Sequence, residues 1–242
     1  MTNAPDIAAR ALPLLDLTDL GESCTEAAVA ALCRDAAAGR VAAICVWPAF
    51  VAQGARALTG TGIGIATVVN FPAGDEDPDP VVAQTRACLA DGAGEIDLVL
   101  PYRALLRGEE ATACRMVEAV RAACAGACLK VILETGELRD PEVIARASAL
   151  ALAGGADFIK TSTGKSPVSA TPEAAEAMLT VLKAHGAGGL KVSGGLRTVA
   201  DAALYLALAD RIRGPGWAGP DTFRIGASSL YAALVDAQET AR

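Results

Sequence analysis

Histidine is almost absent from this 242-residue chain: His185 is the only one. A catalytic triad built on histidine, or a metal site with several histidines, has little to draw on. Aromatics make up only 4% of residues against 52% hydrophobic overall, so the core must be built from Val, Ile, Leu and Ala. Such a composition suits buried parallel strands, which read as branched-aliphatic runs rather than alternating ones. Positive charge is short as well. A net charge of -7 argues against a nucleic-acid or anionic-membrane surface, since both want a basic patch. No apolar run approaches the roughly 20 residues needed to span a bilayer, and MTNAPDIAAR lacks the basic and apolar regions of a signal peptide. The seven cysteines form no CxxC pair. Reduced thiols in a cytoplasmic protein are the natural reading, without a disulfide framework, zinc site or other cofactor.

What is present is a repeat. An Ala-rich helix, a glycine stop and a short aliphatic strand recur, as in AALCRDAAAGR–VAAICV and TRACLADGAG–EIDLVL. Glycine at a helix C-terminus releases the chain into the next strand. Eight strands are expected near 12–17, 41–46, 63–69, 95–100, 129–134, 157–162, 189–193 and 222–226. Helices are expected near 25–38, 49–58, 79–91, 108–124, 141–153, 172–185, 198–211 and 228–239. This alternation implies a parallel sheet with right-handed crossovers. Eight units in a chain close to the typical ~250 residues predict a single (β/α)8 TIM barrel over residues 1–242. The segments 74–80 and 213–221 read as surface loops, and residues 239–242 as a frayed end.

Active sites of such barrels sit at the C-terminal ends of the strands. Asp16 is expected to end the first strand, Asp97 lies in the fourth, and Lys130 and Glu134 lie in the fifth. Lys160 ends the sixth and Lys191 lies in the seventh. Buried charges are costly unless paired; one such residue could belong to a structural ion pair, but the set is harder to explain that way. Only five of the 21 basic residues are lysines, and four of them (Lys130, Lys160, Lys165 and Lys191) fall on or just after strands five to seven. Lysine differs from arginine in that its amine can lose a proton and attack a carbonyl. An exposed amine with a pKa of about 10.4 is only roughly 0.04% neutral at pH 7, so burial and a second ammonium are needed to activate it. Lys160 and Lys191, on neighbouring strands, meet that need, with Asp97 as the proton-transfer carboxylate facing them.

Three glycine-containing loops follow: TSTGK (161–165), SGGLRT (193–198) and GASS (226–229), the last opening a helix. Each alone could be an ordinary turn. On consecutive loops, beside Lys165 and Arg197, they point to a phosphorylated substrate held by backbone N–H groups. Other candidates are weaker. His185 reads as a helix-end residue, and Asp75, Glu76, Asp77 and Asp79 as a solvated acidic run rather than a cation site. Cys45 reads as either a buried hydrophobe or a substrate contact.

The segments LLDLT (14–18), AICVWP (43–48), TVVNFPAG (67–74), EIDLVLPYRAL (95–105), LKVILETGEL (129–138), ADFIKTSTGK (156–165), GLKVSGGLRT (189–198) and FRIGASS (223–229) resemble, in order, the deoxyribose-phosphate aldolase family. The resemblance covers nearly the whole chain, and FIKTSTGK followed by GxKxSGG is its most specific part. It implies a class I, metal-independent aldolase that cleaves 2-deoxyribose 5-phosphate reversibly to glyceraldehyde 3-phosphate and acetaldehyde. Lys160 would form the Schiff base. Lys191 would lower its pKa and Asp97 would be the acid/base, with Asp16, Lys130 and Thr163 supporting a water and proton network. Cys45 would line the acetaldehyde side. Gly164, Lys165, Gly194, Gly195, Gly226, Ser228 and Ser229 would hold the phosphate. The partners implied are small molecules only, with no nucleic acid and no membrane; a homodimer is compatible with the pattern. Some members end in a mobile tyrosine, whereas this chain ends DAQETAR, and Tyr231 is expected inside the last helix. Two other readings remain: a different Schiff-base sugar-phosphate aldolase, and a barrel that binds a sugar phosphate without catalysis.

Overall fold

The structure is a computed structural model and describes residues 3–124 and 126–240. Helix α1 (Ala4–Ala11) precedes the barrel, and Asn3 caps it by accepting from the Asp6 backbone N–H. This helix is absent from the sequence expectation. Its signals were local: an Asn N-cap and a proline in the first turn. A single 3-10 turn over residues 12–14 follows, so β1 (Leu15–Asp19) begins three residues later than expected. The remaining order is α2 (Glu26–Gly39), β2 (Ala43–Val46), α3 (Val51–Ala57), β3 (Gly64–Val69), α4 (Pro78–Ala90) and β4 (Glu95–Val99). Then come α5 (Tyr102–Leu106), α6 (Glu110–Ala123), β5 (Cys128–Ile132), α7 (Thr135–Leu138), α8 (Pro141–Ala153) and β6 (Phe158–Lys160). The chain closes with α9 (Pro172–His185), β7 (Gly189–Ser193), α10 (Val199–Arg213), β8 (Phe223–Ala227) and α11 (Leu230–Glu239). Of the tail expected to fray, Glu239 ends α11, while Ala241 and Arg242 lie outside the described residues.

All eight strands pair in parallel, each with the next in sequence, and β8 returns to β1 to close the barrel. Several helices start on side-chain caps, residue types that disfavour helix in its interior but satisfy free N–H groups at a start. Asp77, Asp140 and Thr171 cap α4, α8 and α9, each followed by a proline in the first turn. Thr198 and Asp201 form a reciprocal capping box on α10. Gly186 ends α9 in the left-handed conformation, as the helix-to-strand stops predicted.

Because strand side chains alternate, each strand has two populations. Ile44, Ile96, Leu98, Leu129, Val131, Ile159, Leu190, Val192 and Ile225 pack outward against the helices in one aliphatic core. Many inward positions are charged or small, among them Asp16, Cys45, Asp97, Lys130, Lys160, Lys191, Arg224 and Gly226, where branched residues usually fill such a barrel; Phe158 is a large apolar exception. Two glycines create the space. A Cβ on Gly189 would sit 2.3 Å from the Phe158 ring, and one on Gly226 would sit 2.9 Å from Lys191 Cε.

Candidate active site

Asp97, in the middle of β4, is the hub of the barrel interior. Its Oδ2 accepts from both Lys160 Nζ and Lys191 Nζ at 2.7 Å, and its Oδ1 accepts from Lys130 Nζ at 3.0 Å. The register explains the convergence, since Lys160 on β6 lies beside Lys191 on β7, and Asp97 beside Lys130 on β5. Asp16 is the second residue of β1, not its end, and so reaches inward rather than toward the mouth. Its Oδ2 lies 2.6 Å from Lys191 Nζ and 3.8 Å from Lys130 Nζ. Lys130 and Lys191 are likewise mid-strand and fully buried, whereas Lys160 ends its strand.

Two residues of this network were not singled out from sequence. Arg224 on β8 donates to Asp16 Oδ1 at 2.7 Å and to Glu95 Oε1 at 3.1 Å, and Glu95 also accepts from Lys130. The signal was available: an arginine inside DTFRIG, and Glu95 two residues before Asp97 and so on the same face.

The electrostatics divide the three lysines. For Lys160, burial acts first to lower the pKa; Asp97 opposes this, Lys191 reinforces it, and the net is a value below 10.5. Burial also acts against the charged forms of Lys191 and Lys130, but their carboxylates win. Asp16 and Asp97 raise Lys191; Asp97, Glu95 and Asp16 raise Lys130 well above its ordinary value. Burial would push the Asp97 carboxyl up, yet the three ammonium groups hold it well below the ordinary 3.8. Asp16 is likewise held down, burial being outweighed by Lys191, Lys130 and Arg224. Lys160 is thus the one amine of the centre eased toward its neutral form.

Above the amines opens a cavity of about 540 Å³. Thr163, Gly164, Lys165, Gly194, Gly195, Gly226, Ser228 and Ser229 all line it, as do Ser193 and Arg197. The structure therefore gathers the three glycine loops on one mouth. It adds the end of β1 (Thr18 and Asp19) and the start of the β1–α2 loop (Leu20 and Gly21), which sequence reasoning missed. Lys165 Nζ ties the two sides, donating to the Leu20 carbonyl at 2.8 Å and lying 5.9 Å from the Trp47 ring centre. Thr163 does not join the ion network. Its hydroxyl donates to Glu134 Oε2 at 2.6 Å, and its N–H also faces that carboxyl. Glu134 lies just after β5 rather than on it, with a left-handed backbone (φ 56°), and burial raises its pKa.

Cys45 is fully buried inside the barrel in a small apolar cluster with Leu20, Ala66 and Val68, against which Trp47 and Phe71 pack. Burial raises its thiol pKa, with Lys191, Asp97 and Lys160 among the charges that act on it. The remaining candidates lie elsewhere. His185 is exposed at the end of α9, and Tyr231 in α11 donates to the Asp35 carbonyl. Among the described residues, no three His, Cys, Asp or Glu side chains converge as a metal-binding group.

A buried amine below a glycine-rich mouth suits attack on a carbonyl substrate, and fold and site together define the class as a class I aldolase. Comparison with known proteins narrows this. A model of the DeoC/LacD family aldolases matches residues 11–234, and the chain belongs to that family. It is 55% identical over 231 residues to a deoxyribose-phosphate aldolase from Agrobacterium fabrum (strain C58 / ATCC 33970), covering 93% of this chain and 89% of the relative. The barrel superposes with a TM-score of 0.90 on an apo crystal structure from Toxoplasma gondii ME49, at 29% identity and coverages of 98% and 97%. It also matches a tetrameric deoxyribose phosphate aldolase from Aeropyrum pernix with a TM-score of 0.80, at 26% identity and coverages of 100% and 94%.

Proposed function

We propose that the chain is a deoxyribose-phosphate aldolase, cleaving 2-deoxyribose 5-phosphate to glyceraldehyde 3-phosphate and acetaldehyde through a Schiff base on Lys160. The observation that carries the residue assignment is the sharing of Asp97 Oδ2 by Lys160 and Lys191 beneath the mouth. The neutral Lys160 amine adds to C1 of the open-chain aldehyde, and the carbinolamine takes a proton from Lys191 and loses water to leave a protonated imine. Lys191 takes the C3 hydroxyl proton, the C2–C3 bond breaks to free glyceraldehyde 3-phosphate, and the electron pair passes into the imine to give an enamine. Protonation at C2 and hydrolysis release acetaldehyde and restore the amine.

Asp97 stays a carboxylate in the free enzyme, which supports a relay role in which it orients both amines and balances the imine charge. Lys191, protonated and 2.7 Å from the same oxygen, is the proton carrier next to the reacting nitrogen. Asp16 and Lys130 hold Lys191 and Asp97 in place. Thr163, tied to Glu134, shapes the phosphate loop. Cys45 and its apolar neighbours enclose the two-carbon fragment, and the four glycines, Lys165, Ser228 and Ser229 receive the phosphate. The imine is the electron sink, so cleavage proceeds without a divalent ion. Seven free thiols fit a reducing, cytoplasmic setting.

Incubation with 2-deoxyribose 5-phosphate should release equimolar acetaldehyde and glyceraldehyde 3-phosphate, undiminished by EDTA. Cleavage of other sugar phosphates without acetaldehyde release would favour a different Schiff-base aldolase. Binding without turnover would favour a silent barrel.

A further inference from the structure

The interior network is not charge-balanced. Four cations, Lys130, Lys160, Lys191 and Arg224, meet three carboxylates, Asp16, Glu95 and Asp97. If all were ionised, the barrel would enclose one surplus positive charge, and isolated buried charge is expensive. Loss of one proton makes the count three against three. Among the described residues, Lys130 and Lys191 each contact two or more carboxylates, whereas Lys160 contacts Asp97 alone. Lys160 is the cation held by the fewest counter-charges, so it gives up the proton at least cost.

The floor of the barrel can raise or lower that surplus. Arg224 keeps its proton throughout the working pH range, so its charge is permanent. It faces Asp16 on β1 and Glu95 on β4, is in register with Lys191 on β7, and lies 5.7 Å from the Phe158 ring centre on β6. Lys160 faces Asp97 on β4, Lys191 on β7 and Cys45 on β2. Asp16 and Lys130 stand between the two ends of the network.

We propose that Arg224 and Glu95 are positioning residues that set the proton content of the lysine centre from the barrel floor. Arg224 adds to the positive charge that displaces a proton from Lys160, and Glu95 offsets that addition. Neither is placed to touch substrate. The inference rests on the assignment of Lys160 as the Schiff-base lysine.

The test is the pH dependence of borohydride trapping with acetaldehyde, a probe without an ionisable phosphate, with the labelled lysine mapped by mass spectrometry. In Arg224→Gln the network balances with Lys160 protonated, so the trapping midpoint should rise by about 1 pH unit or more. Glu95→Gln removes a negative charge, and the midpoint should fall. The double variant removes one charge of each sign and should return close to wild type, as should Arg224→Lys. If Arg224→Gln does not fold, Glu95→Gln and the double variant decide: the fall must appear in the first and vanish in the second. Lower yield at every pH with an unmoved midpoint would reduce both residues to structural ones and overturn the proposal. Label on a lysine other than Lys160 would instead overturn the assignment beneath it.

Discussion

At the scale of single residues, the account turns on unequal sharing of carboxylates. Asp97 accepts from three ammonium groups in full burial, so replacing it strips Lys160 of its carboxylate partner and leaves Lys191 and Lys130 with fewer. Asp97→Asn should cost about 3–5 kcal/mol of stability, the usual penalty for breaking a buried ion pair. It should also lower kcat/KM by about 10²–10⁴, the scale of a lost proton-transfer group. Urea unfolding and steady-state cleavage measure the two effects, and an intact midpoint with intact turnover would remove Asp97 from the centre. Gly226→Ala is a milder probe. The new methyl would lie 2.8 Å from Ser193 Oγ and 2.9 Å from Lys191 Cε, so turnover should drop while the barrel stays folded, as circular dichroism would report. These residues were legible to different degrees. Lysines among aliphatic strands stood out because arginine is this chain's habit. Asp16 was misplaced because the 3-10 turn at 12–14 shifts β1, and Glu95 and Arg224 did not stand out because they sit near the N-terminal ends of β4 and β8, away from the edge where such barrels carry chemistry.

At the scale of elements, the barrel divides labour between its two edges. The strands hold the amines, and the loops after β1, β6, β7 and β8 make the mouth. A bulky acid at Ser228 or Ser229 should therefore raise KM for 2-deoxyribose 5-phosphate far more than for free deoxyribose, by like-charge repulsion at the phosphate. Equal damage to both substrates would place the phosphate elsewhere. The glycine loops could be recognised from composition because close anion approach requires bare backbone. The β1–α2 contribution could not, since Thr18, Asp19 and Leu20 carry no such mark, Gly21 is a lone glycine, and all four join the site only when β1 and β8 close the barrel. Helix α1 was likewise legible only in its cap, Asn3, with a proline in the first turn.

At the scale of the whole molecule, the buried charges make stability depend on pH in opposite directions. Asp16 and Asp97 have folded values below 3.8, so their contribution is full above that value and is lost as pH falls through the lower folded values. Lys130 and Lys191 are raised, so their contribution is present below 10.5 and is lost as pH climbs through the higher folded values. Lys160 is the exception. Its folded value lies below 10.5, so the unfolded chain binds more protons between the two values, and stability rises with pH across that window. Urea titrations across that window should show this rise diminished in Lys160→Met, and an unchanged slope would mean that Lys160 is not depressed. The closed order β1 to β8 follows from the helix–strand repeat. What the repeat could not reveal is that the aliphatic core lies outside the barrel and an ionic one inside, because alternation is invisible where both faces are buried. The most direct test of the central claim is mass spectrometry after acetaldehyde and borohydride treatment. The account predicts one ethyl-sized addition on Lys160, abolished in a folded Lys160→Arg variant; addition at Lys130 or Lys191, or none at all, would contradict it.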